Sequence, residues 1–249
     1  MLRSRRLTLR PILLALVLLA GCATEQPQRA RMTIPVPSPS GLPLIGPALD
    51  QRAIARSFVA VVQAVEPVAE AQCRARNPTA NCDFHIVVDD RPGMPPNAFQ
   101  TLDDAGRPII AFTLALIGQL RNPDELAFVM SHEAAHHILG HLARQRLNAT
   151  LGAQVFGNLA GTISGGDLQQ VRAAQELGAA VGARTYSKDF ELQADALGTE
   201  ISATAGYDPL RGAEFFFRIP DPGNRFLGTH PPNADRVAVV RNAAARLGF

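Results

Sequence analysis

SHEAAHHILGH, Ser131 to His141, holds four of the six histidines of this 249-residue chain. His132 and His136 stand four positions apart, so on a helix they lie about 40° apart around the axis and can aim at one point. Glu133 sits about 100° round from His132, where its carboxylate can reach a water held at that point without becoming a ligand itself. This is the H-E-x-x-H pattern. Its chemistry follows from the residue types. Neutral imidazoles bind Zn²⁺ well, and a catalytic site takes three protein ligands and keeps one position for water. The metal lowers the pKa of that water to about 7, where an adjacent carboxylate can accept its proton.

The pattern needs a helix, and the flanking residues predict one. Asn122 suits the N-cap, Pro123 the first helical position, and Glu125 the closing residue of a capping box. Apolar positions at Leu126, Val129, Met130 and Leu139 carry the helix to about Leu147. On a helix of that length His141, five residues past His136, points about 140° away from it and cannot turn onto the same ion. His137 and His141 are therefore expected to pack, to face solvent or to support the ligands. Glu191 is the better third ligand. In FELQADALG, Glu191 and Asp195 are four apart on a second helix, expected over about 189–205 and ended by Gly206. In a gluzincin the Glu binds the metal, and an Asp one turn later orients a ligand histidine through its ring N–H. The Ala and Leu around both acids predict burial, and buried carboxylates need partners.

Outward from these two helices, the sequence predicts an α+β fold, mostly helical, with one small antiparallel sheet. DFHIVVDD alternates as a strand does, and NAFQT and PIIAF follow it, separated by the turn-forming LDDAGR. DQRAIARSFVAVVQAVEPVAEAQCRA has helical periodicity, with a kink or break expected at Pro67. Residues 151–183 are small and Gly-rich and suggest a helical or mobile segment. Asp208-Pro209 reads as the start of another helix, and NADRVAVVRNAAARL as the last one.

The first 21 residues carry Arg3, Arg5, Arg6 and Arg10, no acid, and an apolar run from Ile12 to Ala20 that is too short to span a bilayer. This is the composition of a secretory signal peptide. Without those arginines the chain has 20 basic against 22 acidic side chains, so the formal charge of +2 gives no case for nucleic-acid binding. Leu19-Ala20-Gly21-Cys22 resembles the lipobox of bacterial lipoproteins, which implies cleavage before Cys22 and its acylation. Ala23 is not the aspartate that marks inner-membrane retention in the enterobacterial sorting rule, so the periplasmic side of the outer membrane is expected. The Pro- and Ser-rich stretch that follows reads as an extended tether. The expected division is a signal peptide at 1–21, a lipidated tether at 22–48 and one metallopeptidase domain at 49–249. Cys73 and Cys82, an even pair in an exported chain, are expected to form a disulfide.

SHEAAHHILGHLAR, YSKDFELQADALG, AGYDP and THPPNADR occur here in the order and form seen in the HtpX/BepA-like zinc endopeptidases, relatives of the CAAX prenyl proteases. The chain resembles that family over about residues 50–249, as its soluble lipoprotein branch. The resemblance implies one zinc per chain held by His132, His136 and Glu191, with Glu133 as base and Asp195 orienting a ligand. It also pairs His230 with Arg236, the histidine lying by the metal. It implies protein or peptide substrates that add as a β-strand along Asn97, Ala98 and Phe99 to Thr101. His230, with a tyrosine such as Tyr186, would stabilise the oxyanion, or His230 would plug the site as a further ligand. Where family members commonly read NAFALPGG, this chain reads NAFQTLDDAG, so the substrate strand is altered. A zinc-containing assembly or chaperone-like lipoprotein with repressed cleavage would carry the same ligand set.

Overall fold

A computed structural model of the chain describes residues 51–249 other than 186, 224, 226, 227 and 229. The expected signal peptide, Cys22, the whole tether and Tyr186 lie outside the described residues. Helix α1 (Gln51–Arg76) buries every fourth side chain on one stripe, Ser57, Val61, Val65, Ala69 and Cys73. The break expected at Pro67 does not occur. Pro67 lies on the exposed side of α1, as does Gln63, whose carbonyl loses its partner there. Water can satisfy that carbonyl, so the helix continues. Cys73 and Cys82 form a disulfide that ties the last turn of α1 to the segment leading into the sheet.

Strands β1 (His85–Asp89), β2 (Ala98–Leu102) and β3 (Pro108–Thr113) form one sheet in the order β1-β3-β2. The β2–β3 pair is the expected antiparallel hairpin, turned at Asp103–Arg107. β1 runs parallel to β3, so the sheet is mixed and not antiparallel throughout. Alternation has the same period of two in either orientation, so β1 could not reveal its direction by pattern. β3 is central and almost wholly buried, whereas β2 pairs only with β3 among the described strands and leaves its other edge open.

A short α2 (Leu114–Ile117) leads to α3 (Pro123–Ile138), which starts where expected. The Asn122 side chain accepts from the Glu125 N–H at 2.9 Å. Glu125 does not close the capping box on Asn122. It accepts instead from the Arg121 N–H at 2.8 Å and is paired with Arg218, which satisfies a fully buried carboxylate. The helix expected to reach Leu147 ends at Leu139. Gly140 is left-handed at φ 66°, a conformation open to glycine, and α4 (His141–Ile163) restarts in a new direction. α5 (Leu168–Arg184) folds back on α4, so the Gly-rich stretch is a helical hairpin. α6 (Ser187–Thr204), α7 (Pro209–Gly212), a 3₁₀ turn (Ala213–Phe217) and α8 (Asn233–Leu247) complete the fold.

The main core joins α1, the sheet, α3 and α6 through Val61, Val65, Phe112, Leu126, Met130 and Ile201. A smaller cluster of Phe128, Phe216, Val237 and Val240 seats α8. No helix among the described residues is long and apolar enough to cross a membrane.

Candidate metal centre

α3 and α6 lie antiparallel, and their approach depends on Gly198. A Cβ on Gly198 would fall 3.0 Å from the His132 nitrogen, so the two backbones nearly touch at this level. One turn away along α6 comes Asp195, and one further Glu191, each opposite a histidine of α3. Gly198→Val is expected to push the helices apart, destabilise the fold by about 1–3 kcal/mol and weaken metal retention. Thermal unfolding together with metal content checks both effects.

The ligand atoms of His132, His136 and Glu191 all lie within 4.8 Å of one another. The two Nε2 atoms are 3.0 Å apart, His132 Nε2 is 3.4 Å from Glu191 Oε2, and His136 Nε2 is 3.4 Å from Glu191 Oε1. Ligand atoms about 2.0–2.1 Å from one ion at the tetrahedral angle stand about 3.4 Å apart, so the three side chains are spaced as a zinc ion requires. Glu191 Oε2 is also buried without a hydrogen bond of good geometry, an arrangement that favours a cation beside it.

Each histidine is held by its other nitrogen. His132 Nδ1 lies 2.9 Å from Asp195 Oδ1, so the ring donates there and turns Nε2 to the site. Arg236, from α8, grips the same carboxylate with two hydrogen bonds, Nε to Oδ2 at 2.8 Å and a terminal nitrogen to Oδ1 at 2.7 Å. Its guanidinium rests on the Phe216 ring, 4.1 Å from the centroid. His136 Nδ1 meets His141 Nδ1 at 2.9 Å, and His141 Nε2 reaches the Gln193 oxygen at 3.3 Å. His141 stacks on Phe190, whose ring also carries Arg144. His137 points elsewhere, to the Asn81 carbonyl at 2.7 Å.

The electrostatics favour positive charge. Burial pulls the His132 pKa down, but the carboxylates of Asp195 and Glu191 outweigh it and raise the ring to about 10. Burial would raise Glu191, yet the rings of His132, His136 and His230 beside it hold it well below the usual carboxylate range. Asp195 is likewise held down, against burial, by Arg236 and His132. His141 is lowered to about 4 by burial and by the neighbouring His136, so it supports His136 as a neutral ring.

These side chains border a cavity of about 790 Å³. Half-buried Glu133 lines it beside His132 and His136, and Asn97, Ala98 and Phe99 line it from the open edge of β2. His230 is half exposed, its Nδ1 3.2 Å from Glu191 Oε2. Of the roles expected for His141, the structure selects support of a ligand, and the sequence did not reveal that Phe190 and Gln193 hold it there. The signal was Gly140, which ends α3 and frees His141 from the angle a continuous helix would impose.

Comparison with known proteins agrees with this arrangement. The chain is 28% identical over 145 residues to the Beta-barrel assembly-enhancing protease of Yersinia pestis, covering 53% of this chain and 30% of that protein. The protein of the same name from Escherichia coli O157:H7 is 29% identical over 147 residues, again 53% and 30% of the two chains. A Protease HtpX homolog of Desulfatibacillum aliphaticivorans is 27% identical over 195 residues, 63% of each chain. The aligned region thus spans less than a third of the first two relatives. Peptidase family M48 matches residues 58–244, from within α1 to within α8, a range that holds all the side chains of the metal centre. By that match over most of its length, and in keeping with the likeness its motifs carry, the chain belongs to peptidase family M48.

Proposed function

We propose that this chain is a zinc-dependent endopeptidase of a Gram-negative envelope, acting on envelope proteins in quality control. One observation carries the proposal: three ligand atoms spaced for one tetrahedral ion stand at the wall of a cavity also lined by Asn97, Ala98 and Phe99, at an edge strand of the sheet. His132, His136 and Glu191 would hold one zinc ion per chain. When bound, zinc would polarise the scissile carbonyl and make a water acidic enough to lose its proton near neutral pH.

The remaining work falls to the chain. The backbone of Asn97–Thr101 would pair with an extended substrate and draw the peptide across the cavity. Glu133 would accept a proton from the attacking water on its carboxylate and return it to the leaving amine. His230 would donate a hydrogen bond to the oxygen that gains charge. Asp195, clamped by Arg236, would keep the His132 ring from turning.

The lipobox-like Cys22 supports anchorage on the periplasmic side of the outer membrane, and the relatives' names supports a tie to β-barrel assembly. Purified protein is expected to cleave casein, to stop after chelation and dialysis, and to resume on adding about one zinc per chain. Full activity in stripped protein would sink the proposal. The rival, an assembly factor with repressed cleavage, predicts no casein cleavage under any of these conditions.

A further inference from the structure

We infer that the α4–α5 hairpin docks on a lipid bilayer through the outer face of α4, as an interfacial element and not a membrane span. The hairpin is built inside out for water. Its contact seam is glycine. A Cβ on Gly152 would fall 2.1 Å from the Gly178 oxygen, and one on Gly182 would fall 2.1 Å from the Asn148 oxygen, so the helices meet backbone to backbone. The large aliphatic side chains point the other way. Leu147, Leu151, Val155, Leu159 and Ile163 follow one another at every fourth position of α4 and are 48–77% exposed. Leu168 and Leu177 of α5 are exposed too, so the hairpin holds half of the large exposed apolar side chains among the described residues.

The row does not wander around the hairpin. The packed positions Ala149, Ala153, Gly157 and Gly161 also recur every fourth residue, so seam and row turn together along α4. A helix pair that folds in water buries its leucines between the helices. Small residues at the contact with aliphatic residues outward is the pattern of helices that meet lipid, where burying leucine against a neighbouring helix gains nothing.

Charge favours a bilayer over a second copy of the chain. From Leu147 to Gly166 there is no charged residue, a length of about 24 Å along α4 to Ile163. Paired helices in water set their register with flanking charges, and this face has none. Arg144 and Arg146 stand at the root of α4. On α5, Arg172 and Arg184 outlie Glu176, with Asp167 capping its first turn. An uncharged aliphatic face with arginines around it suits the boundary of an anionic leaflet. No helix among the described residues meets the length and apolarity of a span, and the contact inferred is an interfacial one.

The hairpin is joined at one end to the metal centre and at the other to the helix that carries Glu191. α4 begins at His141, in contact with His136, and α5 ends just before α6, which carries Glu191. Docking would therefore hold the cavity in one orientation to the membrane, which the Pro-rich tether expected at 22–48 would not do alone.

The test uses the full chain with Cys22→Ser, so that no acyl anchor is present and the Cys73–Cys82 bridge leaves only an introduced cysteine to label. A polarity-sensitive dye is placed at Val155→Cys or, on the outer side of α5, at Glu176→Cys. With vesicles of phosphatidylethanolamine and phosphatidylglycerol, the dye at 155 is expected to shift to the blue and be quenched by spin-labelled lipid, while the dye at 176 stays water-like. Adding Leu151→Gln and Leu159→Gln should lower the apparent partition coefficient read at 155 by about tenfold or more. A water-like dye at 155 in the presence of vesicles would overturn the inference. So would equal lipid quenching at both positions. A blue shift at 155 that grows with protein concentration without vesicles would also overturn it, since a second copy would then cover the row.

Discussion

The Glu133→Gln chain is expected to hold one zinc as the wild type does and to cleave casein about 10²–10⁴-fold more slowly. The substitution keeps the shape of the side chain and removes its capacity to accept a proton. Glu133 is half-buried at the cavity wall and is not among the three grouped ligand atoms, so the metal centre should not sense the change. The loss should therefore fall on kcat, with KM and metal content near the wild-type values. Metal analysis beside steady-state kinetics checks this. Wild-type turnover in the variant would remove Glu133 from the mechanism. The same variant divides the two functional readings in the cell: a peptidase loses its envelope phenotype, whereas an assembly factor keeps it.

Glu191→Ala is expected to take zinc from about one per chain to near zero after dialysis. Two histidines alone leave the ion one ligand short of a catalytic set. The substitution also removes one of the two carboxylates that favour positive charge around His132. Asp195→Asn should be milder, about 10–100-fold in affinity, because the three ligands remain and only the orientation of the His132 ring is weakened. Thermal unfolding separates metal loss from misfolding. Zinc should raise the Tm of the wild type and leave that of Glu191→Ala unchanged, since only a ligand that binds the native state stabilises it. A zinc-dependent Tm in Glu191→Ala would mean that the ion is held elsewhere.

What could be seen in the sequence was what local geometry controls. The capped start of α3 at Asn122 depends on side chains within one turn, and so does the common face of His132 and His136. The turn between β2 and β3 lies within a few residues of Asp103. What escaped was direction and distance. α1 passes through Pro67 because that residue faces solvent, a matter of tertiary placement. β1 joins β3 in parallel because of the path of the chain between strands, which period-two alternation does not record. The helix assumed to reach Leu147 stops at Gly140, and that one left-handed residue brings His141 to the back of His136.

By itself, then, the sequence determined the capped start of α3, the turn between β2 and β3, the histidine pair and the carboxylates able to join it, because helical spacing, capping and turn chemistry act over a few residues. Only the tertiary structure decided that Glu191 lies 3.4 Å from each of two rings more than fifty positions earlier. It also decided that Arg236 clamps the aspartate behind one of them. Those meetings depend on backbone contact at Gly198 and on the packing of α8 over Phe216. Contacts of that kind come from close packing between distant segments, which no periodicity along the chain encodes.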